Sequence, residues 1–203
     1  MHARVIMGQT EPHTYGDLKS AFHSIAQDKT RQQTGYQGVL LLGDQRLGKA
    51  LTISLWDSAA AMHAGEGEGY LPAAIANLEH LFIGAPVIQH YEVGVERGTL
   101  GAQAAGKPAR VIYGQAAPGK LDEIFRLFAA DVIPATTAEP GFVGLLLLGD
   151  AETNRTLSVG IWESDDALHA SEHSGYLHTQ MGKLAHLYEG PPTREHFMVL
   201  THL

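Results

Sequence analysis

The residues with chemistry to offer come in matched pairs. Trp56 and Trp162 each end a short segment in which alternate positions are small or polar, Thr52 and Ser54 in one and Thr156, Ser158 and Gly160 in the other. Small side chains leave room, and an indole beside that room needs an acceptor for its N–H. The tryptophans therefore read as pocket walls that donate a hydrogen bond, or as plain packing anchors. His90 and His196 lie on later strand-like segments, where an imidazole serves as a general base or sits hydrogen-bonded without a catalytic part. Arg4 and Arg110 share the inferred parity and suit a carboxylate or phenolate, or an ordinary salt bridge. His63, His169, Tyr70 and Tyr176 join them as pocket residues, while His80 and His186 also recur in register.

Other chemistries lose their residues. Without cysteine there is no disulfide, thiolate metal site or thiol nucleophile. Fourteen Lys and Arg against 22 Asp and Glu give a net charge of -8, which leaves no basic patch for nucleic acid. The Gly65-Glu66-Gly67-Glu68-Gly69 run follows no strand, and its glutamates would repel a phosphate. His169 and His173 have the i, i+4 spacing of a metal pair, but Gly67 replaces the second in the other copy and no carboxylate triad accompanies them. No metal and no cofactor are expected. The N-terminal MHARVIMGQT has no apolar core of a signal and no stretch is long enough to span a membrane, so a cytoplasmic protein without a membrane partner is expected.

The pairing has a simple origin. Residues 35–86 and 141–192 run in step without a gap, and the offset extends from Ala3-Arg4-Val5-Ile6 on Ala109-Arg110-Val111-Ile112 to His90-Tyr91 on His196-Phe197. Roughly a third of aligned positions are identical, the mark of a tandem duplication. Two domains follow, residues 1–96 and 109–203. Residues 97–108, RGTLGAQAAGKP, lack an apolar period and read as a linker able to reach roughly 40 Å.

Each copy spells the same elements. A strand at His2–Gly8 precedes a helix with Leu18, Ala21, Phe22 and Ile25 on one stripe. The second copy keeps that stripe in Leu121, Ile124, Phe125, Phe128 and Val132, with Pro134 expected to stop it. A leucine run forms the next strand and Gly-Asp opens a turn. In the third strand Leu51, Ile53 and Leu55 alternate with Thr52, Ser54 and Trp56; the apolar set is expected to take the helices. Ser58 and Ser164 stand as N-caps of a second helix, broken at the glycines and resumed at Tyr70 and Tyr176. Residues 86–95 and 192–201 close the units as fourth strands. The order β-α-β-β-α-β is ferredoxin-like, an α+β class. The bare sheet face of each unit is expected to pack on its twin, an intrachain pseudo-dimer, with further homo-oligomers open.

The pattern W-x-S-x-x-A-x-H-A at Trp56–Ala64 and Trp162–Ala170, after a strand reading L-[ST]-[IV]-[SG]-[LI]-W, resembles the dimeric α+β barrel superfamily. More narrowly it is similar to antibiotic-biosynthesis monooxygenase (ABM) domains. That resemblance implies an intrachain barrel of two ferredoxin-like units, with a small-molecule cavity between sheet and helices or inside the barrel. It also implies cofactor-independent oxidation of an aromatic or enolic molecule, with His90 and His196 as bases. Isomerisation or decarboxylation in the same cavity, or a non-catalytic binding or structural module, remain open. Haem-degrading members carry an Asn in the first strand and a His about ten residues beyond the Trp. Here the strands read ARVIMGQ and ARVIYGQ, and the later position is Glu66 or Glu172, which argues against haem chemistry.

Overall fold

The computed structural model describes residues 1–28, 30–67 and 70–202. Two compact units divide them, residues 1–91 with 198–203 and residues 92–197. Unit 1 runs β1 (His2–Gln9), α1 (Tyr15–Asp28), β2 (Tyr36–Asp44), β3 (Lys49–Trp56), α2 (Ala59–Gly67) and α3 (Tyr70–Leu78), then enters β4 (Val87–Gly98). Unit 2 runs β5 (Pro108–Gln115), α4 (Leu121–Leu127), α5 (Ile133–Thr137), β6 (Phe142–Gly149), β7 (Arg155–Trp162), α6 (Asp165–His173) and α7 (Tyr176–Leu184), then enters β8 (Thr193–His202). The division cuts both long strands. Unit 1 keeps β4 as far as Tyr91 and takes the end of β8, where Leu42 pairs with Val199. Unit 2 holds the rest of β4, where Val93 pairs with Leu148. The hydrogen-bonded order β1-β3-β2-β8-β5-β7-β6-β4 closes, so the fold is an α+β barrel of two ferredoxin-like halves within one chain.

Antiparallel register sets which side chains share a sheet face. Arg4 pairs with Ser54, Ile6 with Thr52 and Gly8 with Ala50, while Val39 and Leu41 of β2 meet the same Ser54 and Thr52. This face takes the helices: Gly8 lies so close to Phe82, just beyond α3, that a Cβ on it would fall 2.3 Å from the ring. The expected orientation of β3 is therefore reversed. Thr52, Ser54 and Trp56 face the helices, while Leu51 and Ile53 occupy the other face, where with Ala3 and Val5 they are almost wholly buried. Alternation fixes which residues share a face, but the more apolar set need not be the one beneath the helices.

Local signals explain most boundaries. Ser58 accepts from Ala61 N and Ser164 from Ala167 N, both at 3.2 Å, which satisfies one free donor at each helix start. Leu18 and Phe22 of α1 are buried as the stripe requires; the side chain of Ile25 lies outside the description, as do Glu68 and Gly69 of the glycine run. The second copy of this helix does not stop at Pro134. A π-turn at Phe128–Val132 widens the ladder, and α5 starts with the proline in its first turn, where a missing N–H costs little. Ile124, Phe128, Val132 and Ile133 then bury against Leu145, Leu147, Leu184 and Leu187. Among the described residues, no helix is long and apolar enough to cross a membrane.

Candidate functional site

In unit 1 a cavity of about 70 Å³ opens between the helix-facing side of the sheet and α1 and α3. Leu18, Phe22, Leu71 and Ile75 make its walls apolar, while Arg4, Thr52, Ser54 and Tyr70 supply the polar lining. Arg4 is only 2% exposed. Its Nε donates to Glu66 Oε1 at 2.8 Å, and its Nη2 donates to the carbonyl of Met62 on α2. The guanidinium also sits 5.0 Å from the centre of the Trp56 ring. Trp56 is fully buried, edge-on to Tyr36, and its Nε1 donates to Ser54 Oγ at 3.1 Å. Burial pushes the Tyr70 hydroxyl up to about 12, so it stays protonated and able to donate.

His90 lies on the helix side of β4, in hydrogen-bond contact with Glu66, its Nε2 2.7 Å from Oε1. Glu66 is thus bound by Arg4 and His90 together. His63, one turn earlier on α2, places Nδ1 3.5 Å from Glu66 Oε2 and its ring 4.7 Å from that of His90. Burial raises the Glu66 carboxyl, but the hydrogen bonds from His90 and Arg4 and the charge of Arg4 outweigh that and hold it below the usual range. Arg4 and Tyr70 line the cavity; Trp56, His63 and His90 stand behind its wall. Trp56 is linked to it through Ser54 and Arg4, and His90 through Glu66 and Arg4.

Glu66, with its counterpart Glu172, was absent from the expected site residues. The signal was present in a His-x-x-Glu spacing, His63 to Glu66 and His169 to Glu172, which sets both side chains on one helix face. What the spacing lacks is the arginine and histidine from two strands that complete the cluster.

Unit 2 repeats the arrangement with substitutions. Its cavity, about 40 Å³, is lined in part by Arg110, Thr156, Ser158, Gly160, Tyr176 and Gln180. Arg110 donates to Ser171 Oγ at 3.0 Å and reaches Glu172 Oε1 at 3.5 Å, with its charge 5.3 Å from the Trp162 ring. Burial lowers the pKa of Arg110, while Glu172 pulls the other way. His196 Nε2 lies 2.9 Å from Glu172 Oε1, and Arg194 reaches Oε2 at 3.9 Å. Burial raises the Glu172 carboxyl too, and His196 and the two arginines more than reverse it. Tyr176 hydrogen-bonds Thr136. His169 lies ring to ring with His196 at 5.7 Å. The His169–His173 pair does not converge on a ligand: His173 Nδ1 lies 2.8 Å from the carbonyl of His169, within its own helix.

One substitution has a clear cost. Ser54 corresponds to Gly160, so the indole of Trp162 loses the partner that Trp56 has, and its buried Nε1 has no acceptor among the described residues. A Cβ on Gly160 would stand 3.5 Å from that nitrogen, an ordinary contact. Gly160→Ser is expected to restore the bond and stabilise the protein by about 1 kcal/mol. The measurement is the urea midpoint, and an unchanged or lower midpoint would contradict this account.

The comparisons agree with this architecture. Residues 109–181 match the model of the family described as antibiotic biosynthesis monooxygenase. The whole fold is similar to that of a candidate monooxygenase from Fusobacterium nucleatum, with a TM-score of 0.78 at 14% identity over 99% of this chain and 93% of that one. An anthrone oxidase-like protein gives 0.75 at 15% over 100% and 92%. A heme-degrading enzyme from Listeria monocytogenes gives 0.55 at 11% over 98% and 99%. Among curated proteins, an uncharacterized protein of Mycobacterium tuberculosis is 28% identical over 134 residues, 66% of this chain and 58% of its own length. Residues 109–181 thus match the antibiotic biosynthesis monooxygenase family model, and the whole chain has the fold of the monooxygenase-like structures it resembles.

Proposed function

We propose that the protein is a cofactor-independent monooxygenase of a small aromatic or enolic molecule, held in the cavity between sheet and helices. The observation that carries this reading is the buried Arg4 at the polar lining of an otherwise apolar cavity, coupled directly to a Glu66–His90 pair. About 70 Å³ corresponds to roughly five water-sized groups, the scale of one ring rather than a fused polycycle. Arg4 and the protonated Tyr70 hydroxyl stabilise the phenolate or enolate oxygen. His90, held by Glu66 behind the Arg4 end of the cavity, accepts the proton through an intervening water, and His196 with Glu172 does so in the second copy. The electron-rich anion then reduces O₂ itself: one oxygen atom enters the ring carbon, and the other leaves as water with the two hydrogens lost from the substrate. Residues 1–96 and 109–203 act as two copies of this module.

Oxygen uptake with single-ring phenols and hydroquinones tests the reading. Wild type should exceed the uncatalysed rate, and a His90→Ala, His196→Ala double variant should lose about 100-fold. Equal uptake by both proteins, no faster than background, would remove the oxygenase and leave a ligand-binding module.

A further inference from the structure

We propose that His63, Glu66 and His90 form a site for one divalent transition-metal ion per chain, of the zinc or cobalt(II) class. His63 Nδ1 or Nε2, a Glu66 carboxylate oxygen and a His90 ring nitrogen all lie within 4.8 Å of one another. A tetrahedral ion with ligand bonds of about 2.1 Å holds its ligand atoms roughly 3.4 Å apart. The 3.5 Å between His63 Nδ1 and Glu66 Oε2 already has that spacing. The contact of 2.7 Å between His90 and Glu66 Oε1 opens slightly as the ion displaces the proton between them. Two imidazoles and one carboxylate leave a fourth position for water.

Three features of the surroundings fit a metal. His63 and His90 are 54% and 38% exposed on their side chains, so the cluster is open to entry. Arg4 holds Glu66 Oε1 from behind, as an outer hydrogen-bond partner fixes a ligating carboxylate. The lack of a second cation helps as well: at position 88, on the same strand as His90, unit 1 has the uncharged Ile88. Its counterpart Arg194 places a second guanidinium 3.9 Å from Glu172 Oε2 in unit 2. There a cation would meet two arginines instead of one, and the His169 and His196 rings stand 5.7 Å apart rather than 4.7 Å. The same three residue types are kept in both copies, yet among the described residues only the first copy offers its carboxylate to both imidazoles. One ion per chain follows.

The claim does not depend on the oxygenase reading, in which His90 acts as a base only while the site is free of metal, and it is tested without it. Full-length protein is titrated with Zn²⁺ by calorimetry and with Co²⁺ by visible absorption. Wild type should bind one ion per chain, and Co²⁺ should show the intense bands of a tetrahedral site. His63→Ala and Glu66→Gln should each weaken binding at least ten-fold and abolish those bands; His63 is exposed, so its loss leaves folding intact. His169→Ala should change nothing, and Ile88→Arg should weaken binding as His63→Ala does. Absence of a stoichiometric site, or a site indifferent to His63→Ala and Glu66→Gln, would overturn the proposal. A loss with His169→Ala equal to that with His63→Ala would overturn the assignment to unit 1.

Discussion

Arg4→Met is expected to lower the unfolding free energy by about 3 kcal/mol, the low end for breaking a buried ion pair. The low end applies because Glu66 keeps 27% of its side-chain surface in water and can recover part of its hydration. Three contacts go at once: the bond to Glu66, the bond to the Met62 carbonyl and the charge over Trp56. Methionine fills much of the stem volume, so the loss reports the charge rather than a void. Arg110→Met should cost less, about 2 kcal/mol, because its reach to Glu172 is longer, at 3.5 Å, and Arg194 remains to pair that more deeply buried carboxylate. Urea unfolding of the two variants measures the difference. Equal midpoints for wild type and Arg4→Met would show that the guanidinium contributes nothing net. The same cluster makes the protein acid-sensitive. Glu66 and Glu172 titrate below their unfolded values, so their stabilisation is complete above the unfolded carboxylate range and is lost as pH falls through the folded values. Arg4→Met should flatten that acid limb.

Truncating Trp56 to Ala should cost more still, about 4 kcal/mol, since the ring is fully buried and its removal leaves a cavity against Arg4 and Tyr36. The informative comparison is milder. Trp56→Phe breaks the indole bond to Ser54, whereas Trp162→Phe removes an N–H that has no acceptor among the described residues. Trp56→Phe should therefore destabilise by about 1 kcal/mol more than Trp162→Phe. Parallel denaturation curves would show it, and a larger loss in the Trp162 variant would contradict the hydrogen-bond account.

Much of this architecture was legible from residues alone because it rests on short-range rules. The duplication shows itself at constant offset, and strand alternation correctly put Trp56 opposite Leu51 and Ile53. The serines two positions beyond each tryptophan cap helices because a hydroxyl there reaches a free backbone donor whatever the rest of the fold does. Pro134 misled for a nonlocal reason: whether a proline ends a helix depends on whether a π-turn before it can absorb the missing donor, and the packing of Phe128 and Val132 against the sheet rewards continuing.

The site needed the tertiary structure. Parity grouped Arg4, Trp56 and His90 on one face, but nothing in it says which face the helices cover, and both faces of β3 proved buried. Glu66 looked like one member of a glycine-rich run. Only the crossing of α2 over β1 and β4 brings an arginine and a histidine, far apart in the chain, onto its Oε1 oxygen. The change from Ser54 to Gly160 is visible in the aligned copies, yet its meaning is a single hydrogen bond made in one unit and missing in the other. Sequence determined the parts and their alternation, since these follow from backbone periodicity. The chemistry of the site was decided by long-range convergence, because charge partners are selected by distance in space and not by spacing along the chain.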